Sequence, residues 1–184
     1  MRVIAGRFRG RKLVAVGKGD TGAHLRPTSD RVRESLFNVL GTYGVLPDAR
    51  VLDLFAGTGA LGLEALSRGA SHVTFVDDGR VAGNLIRQNI ELLGCAAETT
   101  LIRRDATRLG ACVDAPYDLV FLDPPYGKDL GQIALAGALD GGWLADDALI
   151  VWEESSAQPA PDGFERTDTR RYGDTHVTLL ERIK

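Results

Sequence analysis

Val51-Leu52-Asp53-Leu54-Phe55-Ala56-Gly57-Thr58-Gly59-Ala60-Leu61-Gly62 is the stretch on which the fold turns. Its first five residues are a short, mostly apolar run of the kind that fills a strand buried on both faces. Glycines at 57, 59 and 62 follow, and an apolar helical stretch continues through Arg68. A strand, a glycine turn and a helix in that order form a nucleotide-binding unit. Glycine admits a ligand close to the backbone, and the helix N-terminus offers unpaired N–H donors. Asp53 lies inside the strand, four residues before Gly57, where an acid is costly without a partner.

Downstream, strands are expected at 72–76, 99–103, 117–122 and 148–152, with helices near 80–93 and 129–139. Two late β-prone stretches, 164–171 and 175–183, flank Gly173-Asp174 and read as a closing hairpin. Alternating strands and helices specify an α/β fold. We expect a Rossmann-like seven-stranded sheet, mostly parallel, with an antiparallel C-terminal hairpin. Ligands of such sheets sit outside the carboxyl ends of the strands, at the point where the strand order reverses. Upstream, Val32, Leu36, Val39 and Leu40 recur at helical spacing over 30–40, with a cap at Thr28 or Ser29 and an end at Gly41, Gly44 and Pro47. Residues 2–16 hold two β-prone runs separated by glycines and read as a short N-terminal hairpin, followed by a loop over 17–22. The chain divides on this reading into a basic arm, 1–24, and a ligand-binding domain, 25–184.

The net charge of −3 conceals an asymmetry. Residues 1–33 carry nine Lys or Arg against two Asp, a net +7, which leaves −10 on the remainder. A basic arm on an acidic body suits a polyanion docked at one end. No apolar run approaches a membrane span, and no apolar segment follows the basic N-terminus as a secretory signal requires. Cys95 and Cys112 stand in no ligand-like spacing and are expected to be small buried residues. A reduced, cytoplasmic protein is expected. His24, His72 and His176 form no metal-ligand pattern, so no metal site is expected. Trp143 and Trp152 read as core, and Glu153 with Glu154 as a rim at the end of the fifth strand.

The chemistry centres on Asp123-Pro124-Pro125-Tyr126, directly after the fourth strand. The prolines hold the backbone extended and remove two N–H donors. The Asp123 carboxylate and the Pro124 carbonyl are left as acceptors facing the crevice. An exocyclic amine on a nucleobase is a poor nucleophile, because its lone pair is delocalised into the ring. Two acceptors gripping its N–H bonds favour a pyramidal nitrogen, and Tyr126 can stack on an extruded base. Such catalysis is orientation and electrostatics in one in-line transfer.

Twenty residues after Gly57, Asp77 ends the second strand and is placed to accept from ribose hydroxyls. That pairing alone would equally suit NAD. Asp53 shifts the balance, since it can receive an ammonium group that S-adenosylmethionine has and NAD lacks. Asp105-Ala106, after the third strand, can read an adenine edge, or Asp105 can simply cap a turn.

DLFAGTGALGLEAL, an acidic second-strand end and DPPY together resemble the Rossmann-like class I methyltransferases of the amino-group type. LRPTSDRVRESLFNVL, GRFRGRKL and GWLADDALIVWEES make the chain similar to the RsmD family, bacterial methyltransferases of guanine N2 in 16S ribosomal RNA. This resemblance covers essentially the whole chain. It implies S-adenosylmethionine as cofactor, with Asp53, Gly57 and Gly59 at its methionine part, Asp77 at the ribose, and Asp105 and Ala106 at the adenine. Phe55 and Thr28 are further expected cofactor contacts, the segment around Arg26, Pro27 and Thr28 closing over it. Asp123, Pro124 and Tyr126 are the expected catalytic residues. The family more often has Glu where Asp77 stands, and Phe where Tyr126 stands. The arm residues Arg7, Phe8, Arg9, Arg11 and Lys12 mix cations with an aromatic, as a ribbon tracking RNA phosphates would. The expected partner is ribosomal RNA or the small ribosomal subunit, met by a monomer with no membrane attachment. DPPY does not itself separate guanine from adenine or cytosine, or RNA from DNA. A NAD-binding oxidoreductase or an idle RNA-binding domain is the alternative of another class, and it leaves DPPY without a role.

Overall fold

The computed structural model describes residues 1–16 and 28–184. The loop expected at 17–22, together with His24, Arg26 and Pro27, lies outside the described residues.

The strands are β1 (Arg50–Leu54), β2 (His72–Val76), β3 (Thr99–Ile102), β4 (Tyr117–Leu122), β5 (Leu144–Glu154), β6 (Phe164–Tyr172) and β7 (Thr175–Arg182). They form one sheet in the order β3-β2-β1-β4-β5-β7-β6. Neighbours are parallel from β3 to β5 and antiparallel beyond. The helices are α1 (Asp30–Tyr43), α2 (Ala60–Ser67), α3 (Arg80–Leu93) and α4 (Leu130–Asp140). The α/β sheet expected from the sequence is borne out, including its antiparallel closing hairpin.

Alternation along each strand divides the apolar residues between two cores. Val51, Val73, Phe75, Phe121 and Val151 face α1, α2 and α3, while Leu52, Leu54, Val120, Leu122 and Trp152 face α4. Chain order runs outward from β1 to β3, then returns to β4 on the other side of β1. The strand order therefore reverses between β1 and β4, and a crevice opens above their carboxyl ends.

Some boundaries differ from expectation. α1 runs through Gly41 and stops at Gly44, whose φ of 64° ends the helix in a left-handed cap. A glycine inside a helix costs only about 1 kcal/mol, which the buried Leu36, Phe37 and Leu40 offset. Ser29, not Thr28, is the cap: its hydroxyl accepts from the Val32 N–H at 3.2 Å. β5 begins four residues earlier than the expected 148, at Leu144, because Tyr117 of β4 pairs with it across a bulge. Trp143 and Trp152 are buried as expected, as is Cys95, but Cys112 is only half-buried.

The N-terminal hairpin is shorter than its β-prone runs suggest, with a single bridge between Arg2 and Lys12. It lies against the body, with Val3 and Leu13 in the core shared with α1 and α2. Its clasp is Glu64, 0% exposed on α2, whose carboxylate accepts from the Ile4 and Ala5 N–H groups and from Arg68 Nε at 2.9 Å. Nearby, Gly6 has a φ of 83°, and a Cβ there would lie 1.9 Å from the Ser67 carbonyl oxygen. Glu64→Ala leaves two N–H groups and a guanidinium unpaired, with an expected cost of about 3–5 kcal/mol. Thermal unfolding and proteolysis of the first residues measure this; an unchanged melting temperature with a still-protected N-terminus contradicts it.

Candidate active site

Five strand ends supply the crevice. Asp53, 1% exposed near the end of β1, points to the α2 side and accepts from the Gly62 N–H at 3.0 Å. A Cβ on Gly62 would sit 2.5 Å from the Phe75 ring and 3.0 Å from Asp53 Oδ2, so only glycine lets the helix approach the acid so closely. Phe55, next after β1, takes a φ of 56°, a strained conformation for an aromatic residue, and its side chain lines the crevice. Asp77 follows β2 and accepts from the Gly57 N–H at 3.0 Å and the Gly79 N–H at 2.8 Å. Asp105 caps the 3-10 turn Ala106–Arg108, its carboxylate taking both the N–H and the hydroxyl of Thr107. Phe55, Asp77, Asp78, Asp105, Ala106 and Pro125 line one pocket. Gly57, whose N–H goes to Asp77, and Gly59 lie on the glycine turn, with Asp53 on β1 just before it.

Asp123 follows β4, and its N–H extends the ladder to the Leu54 carbonyl at 3.4 Å. Pro124 is buried, Pro125 exposed and Tyr126 half-buried. The Tyr126 hydroxyl lies 3.0 Å from that of Thr175 at the start of β7, which ties the ring to the C-terminal hairpin. A Phe in this position has no such tether. Glu153 and Glu154, expected at the rim, are instead buried, at 4% and 6% exposure. Glu154 accepts from the Gly127 N–H at 3.2 Å and so braces the loop after the proline pair. Glu153 stands beside Asp123, one residue beyond the paired Leu122 and Trp152, and close to Thr28.

The electrostatics follow from burial. Asp53 is pushed well above the carboxylate range by burial, against the Gly62 N–H and with help from the charges of Asp77 and Glu153. Burial likewise raises Asp77, opposed by the Gly57 and Gly79 N–H groups. Asp123 is raised well above its ordinary value by burial and then by Glu153, Asp53 and Glu154. Burial also raises Glu153. Asp105 goes the other way, lowered by the Thr107 hydroxyl and N–H.

A crevice of acids held above their ordinary pKa lacks positive charge. S-adenosylmethionine, with its ammonium and sulfonium, fits that donor set. A dinucleotide pyrophosphate does not, since Gly57 already gives its N–H to Asp77 and the surrounding carboxylates would repel the anion.

The expected arm residues separate into two groups. Arg7 pairs with Glu98 at 2.8 Å and lies over the Phe8 ring, and Arg11 donates to the Leu92 carbonyl at 2.6 Å. Phe8 is half-buried against the core. Arg9 and Lys12 are exposed.

The model of the family described as conserved hypothetical protein 95 matches residues 1–181. The chain belongs to this family. Among its relatives, the ribosomal RNA small subunit methyltransferase D of Escherichia coli K12 is 40% identical over 161 residues, spanning 88% of this chain and 78% of the relative. The protein of the same name from Haemophilus influenzae is 38% identical over 162 residues, spanning 86% of this chain and 81% of the relative. The solved structure of yhhF from Escherichia coli superposes with a TM-score of 0.84 at 36% identity, over 100% of this chain and 98% of that one. The conserved hypothetical protein 95 fold is thus the Rossmann-like methyltransferase fold, and the resemblance to the RsmD family is borne out. Among the described residues no helix is long and apolar enough to cross a membrane.

Glu64, Glu153 and Glu154 are the residues that sequence reasoning misplaced or passed over. Glu64 had a signal: it is the single charge in ALGLEALS. Glu153 had none, because two adjacent acids at a strand end read equally well as solvated.

Proposed function

We propose that this chain transfers a methyl group from S-adenosylmethionine to the exocyclic N2 amine of a guanine in small-subunit ribosomal RNA. The observation that carries this reading is the gathering of Asp53, Asp77, Asp123 and Glu153 around the glycine turn, an anionic crevice that a cationic cofactor satisfies. Relatives named ribosomal RNA small subunit methyltransferase D support the substrate class.

When bound, S-adenosylmethionine supplies a methyl carbon made electrophilic by its sulfonium. Asp53 and the backbone of Gly57 and Gly59 hold its amino-acid end. Asp77 holds the ribose, Asp105 and Ala106 the adenine, and Phe55 and Thr28 close on either side. Asp123 and the Pro124 carbonyl grip the two N–H bonds of the guanine amine and turn its lone pair toward the methyl carbon. Bound there, the cofactor would give up its methyl and leave as a neutral thioether, and the Asp123 carboxylate would take the proton that the methylated nitrogen loses. Tyr126, tethered through its hydroxyl, stacks on the extruded base.

The test is transfer of labelled methyl to small-subunit RNA, and to subunits that lack the modification, followed by digestion to nucleosides. Label is expected in N2-methylguanosine. Label in adenine, cytosine or DNA instead transfers the assignment to another amino methyltransferase.

The arm, residues 1–24, is proposed to dock the RNA through Arg7, Phe8, Arg9, Arg11 and Lys12. Since Arg7 and Arg11 are engaged with the body, Arg9 and Lys12 should carry most of the phosphate contact. Replacing both with Glu is expected to weaken RNA binding roughly tenfold at low salt and to flatten the log Kd against log salt slope by about 1.4. An unaltered slope removes these cations from the interface.

A further inference from the structure

Asp123 and Glu153 occupy equivalent places on neighbouring strands. The parallel register pairs Phe121 with Val151 and Leu122 with Trp152, so the next residues, Asp123 and Glu153, stand side by side. By alternation both point to the same side of the sheet as Phe121, Val151 and Asp53. Glu153 sits away from water at 4% exposure, and β7 closes its other flank, where it pairs with Val177. Two ionised carboxylates are acceptors only. Carboxyl groups set side by side in this register, with Glu153 out of water, therefore favour a proton held between them over two full negative charges. Thr28, one residue before the cap of α1, lies close to Glu153.

We propose that Glu153 is a positioning residue for the transfer: it shares one proton with Asp123 and so turns the outer Asp123 oxygen toward the target amine. This rests on the assignment of Asp123 as the acceptor of that amine. One proton also limits the pair to a single negative charge, where two carboxylates side by side would push each other off their geometry. Among the described residues, the other acids whose charge acts on Asp123 are Asp53 on β1 and Glu154, which alternates to the other face of β5 and accepts from the Gly127 N–H. His176, on β7 opposite Glu154, directs its ring nitrogen to the Ser155 carbonyl at 3.0 Å instead. Neither acid can supply the bridging proton as Glu153 does, because neither is paired in register with Asp123.

Carboxyl NMR of the protein carrying 13C-labelled aspartate, with no RNA or cofactor present, tests the shared proton directly. The Asp123 signal, assigned by its loss in Asp123→Asn, is expected to titrate in two coupled steps. In Glu153→Gln, a neutral amide of the same shape donates to Asp123 and accepts from Thr28. Asp123 should then titrate in one step, with its final ionisation lower by about one pH unit or more. Transfer kinetics test the positioning role. Glu153→Ala should lower kcat about tenfold or more with little change in KM for RNA, and Glu153→Gln should restore most of that loss. The wild-type kcat should also fall at alkaline pH, where the shared proton is lost, more steeply than that of Glu153→Gln, whose amide proton is not lost. Identical Asp123 titrations in wild type and Glu153→Gln overturn the shared proton whichever base is methylated. A coupled titration with superimposable kcat profiles overturns the positioning role.

Discussion

Asp123→Ala should lower the single-turnover rate of methyl transfer by ~10³-fold, about 4 kcal/mol in the barrier. The substitution removes an acceptor that matters only as the nitrogen pyramidalises and loses its proton, so the loss belongs in kcat. Cofactor affinity should change little, since Asp53 and the glycine turn lie on β1 and α2. The fold should survive, because burial and its acidic neighbours hold the Asp123 carboxyl well above its ordinary range, and deleting it relieves that tension. Circular dichroism, calorimetry with the cofactor and a rate measurement separate these effects. Transfer retained within tenfold would take Asp123 out of the mechanism.

Asp53→Asn is expected to act in opposite directions on binding and stability. The amide oxygen can still accept the Gly62 N–H, so α2 keeps its position. The charge that receives the ammonium is lost, which should weaken cofactor binding by about 2–3 kcal/mol, or roughly 30- to 150-fold. The ligand-free variant should nevertheless be the more stable protein at alkaline pH. Folding raises the pKa of Asp53 through burial. A group raised in this way costs nothing below its unfolded pKa, and the cost accumulates as pH climbs toward the folded value. Melting temperatures of wild type and variant should thus converge near pH 4 and separate by about pH 8, with the variant higher. Parallel curves would show that Asp53 is not strained by its surroundings. The acid is kept despite its cost, on this account, because the ligand cancels it.

The sheet was legible because its signals are local and strong. Each parallel strand is a short apolar run, and the glycine turn marks where the first ends. β2, β4 and α3 occupy the residues expected for them. Boundaries failed where distant contacts overrode local preference. α1 passes through Gly41 because its apolar face is buried, and Leu144 joins β5 because Tyr117 lies opposite. Asp53, Asp77 and Asp123 could be placed near the crevice because each lies within or just after the carboxyl-end half of a recognisable strand. Glu153 could not, since its significance depends on the register between β4 and β5, which one-dimensional pattern does not contain. The clasp between Glu64 and the N-terminus is hidden for the same reason, joining residues about sixty positions apart.

That clasp has a bearing on how the chain is made. The groups that fasten the N-terminal ribbon all lie downstream of it, so they are synthesised after it. Its partners include Arg33, Glu64, Ser67, Asn89, Leu92 and Glu98, which lie 31 to 91 positions downstream of the residues they hold. Asn89, on α3, joins Val14 to the Thr58 carbonyl of the glycine turn. A nascent chain that stops short of α3 therefore lacks the Asn89 stitch, and its cationic ribbon stays only partly fastened beside the ribosome's own RNA.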